Sequence, residues 1–76
     1  MEKDIYKFFL DECALKKKEI ENNNLLSSSI IDSLDLLKLT LFIEKKFKIK
    51  ISPFEIVPQN FDTVQKIIKL IKSKQK

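Results

Sequence analysis

Seventy-six residues, 43% apolar and 34% charged, fit one small domain spanning residues 1–76 with a modest core. The chain has no histidine and no glycine, which excludes histidine-based acid–base catalysis, a Gly-rich phosphate loop and an EF-hand. A single cysteine cannot close an internal disulfide, and no Cys or His cluster offers a zinc site.

The net charge of +4 is uneven. Residues 1–32 carry five Lys and seven acids, 33–61 five Lys and three acids, and 62–76 five Lys and one acid. The N-terminal Met-Glu-Lys-Asp-Ile-Tyr is acidic and amphipathic, unlike a signal peptide, and no apolar run approaches the ~18 residues of a membrane span. A cytoplasmic location is the expectation. Without glycine, turns needing positive φ are expected to use Asn or Ser, which disfavours a hairpin-rich fold.

In chain order, the 3.6-residue spacing of Ile5, Phe8, Phe9 and Cys13 predicts a first helix over 4–16. Lys16, Lys17 and Lys18 suit its negative C-terminal end. Cys13 reads as a small core residue, since no histidine exists to activate it. Residues 17–32 read as a long connection. Its turn formers are Asn22, Asn23, Asn24, Ser27, Ser28 and Ser29, and its Leu25, Leu26, Ile30 and Ile31 should pack down onto the helices. Loops of that length in a small domain are often functional.

The stretch Asp32-Ser33-Leu34-Asp35-Leu36-Leu37 predicts the start of a second helix over 33–47. Asp32 is an N-cap, and Asp35 three residues on completes an acidic capping box. Ser33 then lies in the first turn, where amides lack partners and the helix dipole is positive, so a phosphate ester on its hydroxyl would meet an anion site. The plainer reading is that Asp-Ser simply starts a helix. No general base is near Ser33 in sequence. Asp32 and Asp35 could touch hydrated Mg²⁺ but serve more simply as capping acids, and no metal is expected.

On the wheel of this helix, Leu36, Leu39, Ile43 and Phe47 make one apolar stripe. Leu34, Leu37 and Leu41 make another, roughly 160° away. Asp35, Lys38, Lys45 and Lys46 occupy the remaining arc with Phe42. Two stripes mean either burial on both sides or an apolar strip kept exposed for a partner, and the pattern leaves both open.

Beyond Phe47, Lys48-Ile49-Lys50-Ile51 alternates like a strand without a mate, so an extended connector is expected. Ser52-Pro53-Phe54-Glu55 reads as a helix start of about one turn, ended by Pro58. Asp62 or Thr63 caps a last helix with Val64, Ile67, Ile68 and Ile71 on its apolar face and Lys66, Lys69, Lys72 and Lys74 mostly wet. The expectation is an all-α, four-helix bundle: three main helices, one short helix and a long first loop. Phe9, Leu36, Leu39, Ile43, Phe47, Ile67 and Ile71 are the expected core.

Ile31-Asp32-Ser33-Leu34 resembles the Asp-Ser-Leu attachment motif of acyl carrier proteins and the related peptidyl and D-alanyl carriers. The likeness continues through Asp35-Leu36-Leu37-Lys38-Leu39 and from Ile43 to Ile51. It ends at Asn60-Phe61-Asp62-Thr63-Val64-Gln65-Lys66-Ile67, which is similar to the start of the family's last helix; together it covers residues 25–71. The resemblance implies a non-catalytic carrier whose Ser33 takes 4′-phosphopantetheine from coenzyme A through a phosphopantetheinyl transferase that recognises Asp32. The arm's thiol would hold an acyl or aminoacyl group as a thioester, for fatty acid or secondary metabolite biosynthesis.

The implied partners are that transferase, an acyl- or aminoacyl-loading ligase and a downstream acyltransferase or synthase, with no nucleic acid and a monomeric state. Leu34, Asp35, Leu37, Lys38, Leu41 and Glu44 fall on the implied partner face. Two departures stand out: Ser29-Ile30-Ile31 replaces a stretch where the family commonly has Gly, and Lys38, Lys45 and Lys46 replace acids usual in fatty-acid carriers. Docking on a basic patch should be weak, pointing to a specialised pathway and an acidic partner surface, unless the lysines are compositional. The alternatives are a carrier-fold interaction protein without the arm, and a small basic nucleic-acid-binding domain; the absence of arginine, the usual guanine reader, weighs against the latter.

Overall fold

The N-terminal apolar stripe forms α1 over Glu2–Glu12 in the computed structural model, which describes residues 1–22 and 24–75. α1 starts before Asp4 and ends before the predicted Lys16. Its end is set by backbone geometry that the periodicity does not encode. The Cys13 amide still reaches the Phe9 carbonyl at 3.3 Å, but Ala14 turns left-handed at φ 55° and the Leu15 amide folds back to the same carbonyl at 3.1 Å. Ile5, Phe8 and Phe9 are buried, and Cys13 is half-buried against the core.

Residues 17–22, expected as loop, form α2 (Lys17–Asn22), which buries Ile20. The Glu19 carboxylate accepts from the Lys16 amide at 2.9 Å, half of a capping box. Lys17 and Lys18 therefore lie in the first turn of α2, not at the C-terminal end of α1 as predicted, and the expected dipole pairing is absent. The role expected of Asn23 lies outside the described residues.

The rest of the connection packs as anticipated: Leu25 and Ile31 are buried, with Leu26 and Ile30 against them. The Ile30 and Ile31 amides both donate to the Leu25 carbonyl. Ser29 takes φ 57°, the left-handed geometry a glycine would adopt more cheaply. Among the described residues three have positive φ, and of these Ser29 is of the expected Asn or Ser type while Ala14 and Lys48 are not.

α3 spans Ser33–Phe47 as predicted, with the Asp32/Asp35 capping box formed and a left-handed Lys48 at its C-cap. Leu39 and Ile43 are fully buried. Leu36 and Phe47, also expected in the core, are half-buried, because they occupy the first and last turns, where the bundle covers the stripe less completely. Phe42, on the flank, stacks on Phe8 with ring centres 5.0 Å apart and ties α3 to α1.

The connector after α3 has no regular secondary structure, with Ser52 in extended geometry at its end, and no strand occurs among the described residues. Ser52 caps a single 3-10 turn, Pro53–Glu55, with Pro at its start as anticipated. Pro58 ends that turn's reach but also opens a one-turn α4, Pro58–Phe61, which the sequence reading missed. Proline is tolerated at a first helical position because that amide needs no partner. α4 places Phe61 in the core.

Thr63, not Asp62, caps α5 (Val64–Lys74), its hydroxyl accepting from the Lys66 amide at 3.1 Å. Val64, Ile67, Leu70 and Ile71 are buried, and α5 packs on α4 and α1. Lys74 reaches Glu55 at 2.8 Å and joins the end of α5 to the 3-10 turn. The fold is therefore an all-helical bundle carried by three main helices, α1, α3 and α5, with more short helical turns between them than the one foreseen.

Candidate functional site

Asp32 ends the loop and begins α3. Its carboxylate accepts the Asp35 amide at 2.8 Å, its carbonyl accepts the Leu36 amide at 2.9 Å, and its own amide faces the Asp35 carboxylate at 3.5 Å. Two of the helix's first amides are thereby satisfied. Among the described residues, no acceptor meets the Ser33 and Leu34 amides, and the exposed Ser33 hydroxyl makes no hydrogen bond. The site thus offers a free hydroxyl on the first residue of a 15-residue helix, at its electropositive end.

The loop leading to it is anchored from below. Asp62, buried, accepts the Leu26 amide at 3.1 Å, the Ser27 amide at 2.8 Å and the Ser27 hydroxyl at 2.7 Å, while its carbonyl takes the Leu25 amide at 2.8 Å. Burial pushes the Asp62 carboxyl up, but the Ser27 hydroxyl and the Ser27 and Leu26 amides outweigh it and hold it below its ordinary 3.8. With Ile31 buried immediately before Asp32, the position of Ser33 is fixed on both sides.

Asp35 looks back toward the end of α1. Burial, then the charge of Asp35 and a hydrogen bond to it, push the Cys13 thiol up to about 11. A thiol so protonated is a poor nucleophile, consistent with Cys13 as a packing residue.

The strip on α3 is exposed: Leu34 at 59%, Leu37 at 55% and Leu41 at 56%. Burial of α3 on both sides, one of the two sequence alternatives, is overturned. Lys38 and Lys45 are also exposed. Glu44, grouped with them from sequence, is half-buried and accepts the Ile51 amide at 2.9 Å, so its carboxylate holds the connector against α3. Beside the strip, an open groove of about 590 Å³ runs between α1 and α3 over Phe8, Leu41 and Phe42. Lys38, Lys45 and Lys46 line one wall, and Asp4, Lys7, Asp11 and Glu12 the other, with Lys46 reaching Asp4 across the groove at 3.8 Å.

Phe54 escaped the sequence reading. It is 91% exposed on the 3-10 turn. The available signal was that Ser52 and Glu55 are both consumed by capping and that Phe54 matches no apolar stripe.

No described helix is long and apolar enough to cross a membrane. Comparisons of the chain with family models, curated proteins and solved structures found no match.

Proposed function

We propose that the chain is a carrier protein: Ser33 bears a 4′-phosphopantetheine arm that holds acyl or aminoacyl groups as thioesters and presents them to partner enzymes of a specialised biosynthetic pathway. The observation that carries this reading is the exposed, unbonded Ser33 hydroxyl at the capped start of α3, beside two unpartnered amides. The residues fit such an arm. The hydroxyl is accessible to a transferase, and the Ser33 and Leu34 amides face the place where the two-ester phosphate would carry its charge.

Attachment forms a bond from Ser33 Oγ to the phosphorus of the pantetheine half of coenzyme A and expels the nucleotide half, while the hydroxyl proton is lost to the transferase or solvent. The thiol chemistry of thioester formation is the arm's own. This chain's residues orient and expose. Asp32 and Asp35 fix the first turn, Asp62 fixes the loop, and Leu34, Leu37 and Leu41 form the apolar centre of the face shown to the transferase, the loading ligase and the acyltransferase or synthase. The chain performs no catalysis in this reading; it is a substrate of its partners, and it works as a cytoplasmic monomer.

The test is intact mass after incubation with coenzyme A, Mg²⁺ and a promiscuous phosphopantetheinyl transferase. The folded protein gains one phosphopantetheine and Ser33→Ala gains none. Unchanged mass with several transferases, on protein with a cooperative melt, overturns the carrier reading in favour of the arm-free one.

A further inference from the structure

A groove of about 350 Å³ lies where α4 packs on α5, lined by Gln59, Asn60, Lys66, Lys69, Leu70 and Ser73. Among the described residues it holds two cations and no carboxylate. The groove between α1 and α3 is different, with Asp4, Asp11 and Glu12 among its lysines, and one between α1 and α2 carries Glu2 and Glu21. The cause is local. α5 has no Asp or Glu from Val64 to Lys74, and α4 is Pro-Gln-Asn-Phe. Lys66, Lys69 and Ser73 recur at helical spacing on one wet face, while Leu70 turns inward to form the floor.

The walls are fixed and the charges are free. The Asn60 side chain donates to the Glu55 carbonyl at 2.8 Å, and the Ser73 hydroxyl to the Leu70 carbonyl at 2.7 Å. Lys66 and Lys69 are exposed, and neither they nor the Gln59 side chain is held by an ion pair or hydrogen bond. The nearby acids are engaged elsewhere. Glu55 pairs with Lys74 at 2.8 Å, and Asp62 is filled by Ser27 and Leu26. Glu2 meets α5 at Gln65, outside the groove, at 3.5 Å. Two like charges at neighbouring helix positions repel, and an anion between them relieves the repulsion.

We propose that the α4–α5 groove binds the phosphate of a phosphomonoester, with its head between Lys66 and Lys69 and the Gln59 amide as a further donor. Charge selects the monoester. It carries about −1.5 to −2 at pH 7, matching two ammonium groups, whereas a diester carries less. Lysine suits a phosphate as a point charge. No aromatic side chain lines the groove, so it lacks the stacking platform that a nucleic acid strand would use. The phosphate can belong to a soluble metabolite or to a lipid headgroup. The site is independent of Ser33 and of the carrier reading.

The experiment titrates the full chain at low salt with inorganic phosphate, and with chloride at matched ionic strength, following amide and lysine side-chain chemical shifts. Phosphate shifts Gln59, Asn60, Lys66 and Lys69 saturably, and chloride does not. Lys66→Gln and Lys69→Gln each weaken binding about two- to fivefold, as loss of one exposed ion pair does, with unchanged melts. The double variant responds to phosphate no more than to chloride. Lys72→Gln, on α5 but outside the groove, leaves binding intact. Sedimentation with phosphatidylcholine vesicles then distinguishes the sources, using phosphatidic acid, a monoester, or phosphatidylglycerol, a diester, at equal mole fraction. Phosphate binding without vesicle binding supports a soluble ligand, and preference for phosphatidic acid supports a headgroup.

The proposal falls if chloride moves the same amides equally, if the shifts map outside the groove, if the double variant binds phosphate as the native chain does, or if phosphatidylglycerol vesicles bind as well as phosphatidic acid ones. Ser33→Ala keeps the two readings apart: it abolishes phosphopantetheine attachment and leaves phosphate binding unchanged.

Discussion

Asp62 and Ser27, 35 residues apart in sequence, are joined twice: the Asp62 carboxylate accepts the Ser27 amide at 2.8 Å and the Ser27 hydroxyl at 2.7 Å. A third bond, from the Leu26 amide at 3.1 Å, completes a clamp between the loop and the start of α5. Asp62→Ala leaves two loop amides without that acceptor, each worth about 1–3 kcal/mol when buried and unsatisfied. The two amides are only part-buried, so chemical denaturation should show a loss of about 1–3 kcal/mol in total, and hydrogen exchange should rise first at residues 25–31. An unchanged midpoint would mean that the clamp contributes nothing.

The same clamp makes stability sensitive to acid. The folded carboxyl of Asp62 lies below its ordinary 3.8, so the unfolded chain binds its proton first. The contribution is complete above the unfolded pKa and is lost as pH falls through the folded value. Urea midpoints of the native chain should therefore drop below about pH 4, and the drop should be shallower in Asp62→Asn. Parallel curves would assign the acid loss to other carboxylates.

Core position sets the cost of losing an aromatic ring. Phe61 is fully buried on α4, and Phe61→Ala should cost about 3–5 kcal/mol, as for large-to-small changes in a core. Phe47, half-buried at the last turn of α3, should cost clearly less. Paired urea titrations rank the two, and the opposite order would contradict their burial.

Leu37 and Lys38 separate apolar contact from charge. Leu37 is exposed, so Leu37→Ala should move stability by no more than about 0.5 kcal/mol. It should nevertheless slow transfer to or from a partner enzyme, because the apolar centre dominates interface energy. Lys38→Glu should lower the association rate with an acidic partner and weaken its salt dependence. Loading kinetics at low and high salt, beside thermal melts, read both. Unfolding of Leu37→Ala would make the strip core, and faster loading of Lys38→Glu would make the lysines compositional.

Ala14 holds φ 55° without the freedom of glycine. Left-handed geometry costs an L-residue about 1–2 kcal/mol, more than the extra entropy glycine loses on folding, about 0.5–1 kcal/mol. Ala14→Gly should therefore raise stability by roughly 0.5–1 kcal/mol, visible as a higher melting temperature. A lower one would place Ala14 outside the left-handed region.

Local chemistry was legible wherever neighbours in sequence are also neighbours in space. Asp32 with Asp35, and Ser52 as a cap with Pro53 at the first helical position, lie within three residues, and the structure forms each as anticipated; the return bond from the Ser52 amide to Glu55 is an addition of the structure. α2 was missed because six residues with one apolar anchor, Ile20, carry too short a period to read. α4 was missed because Pro58 ends one turn and begins the next. Asp62 was read as a possible helix cap, since nothing local shows that its partners lie in the first loop.

The sequence by itself determined the helical class, the boundaries of α3, its two leucine-containing stripes and the capped position of Ser33, because these follow from 3.6-residue periodicity and hydrogen bonds between near neighbours. Only the tertiary structure decided which stripe is buried and which is wet. Both stripes are apolar, and the difference lies in what packs against α3: Leu39 and Ile43 are enclosed in the bundle, while Leu34, Leu37 and Leu41 stay more than half exposed. It likewise decided that Asp62 clamps the loop, that Glu44 holds the connector and that Phe54 stands clear, because contacts between distant segments depend on how the chain closes on itself and leave no mark in local spacing.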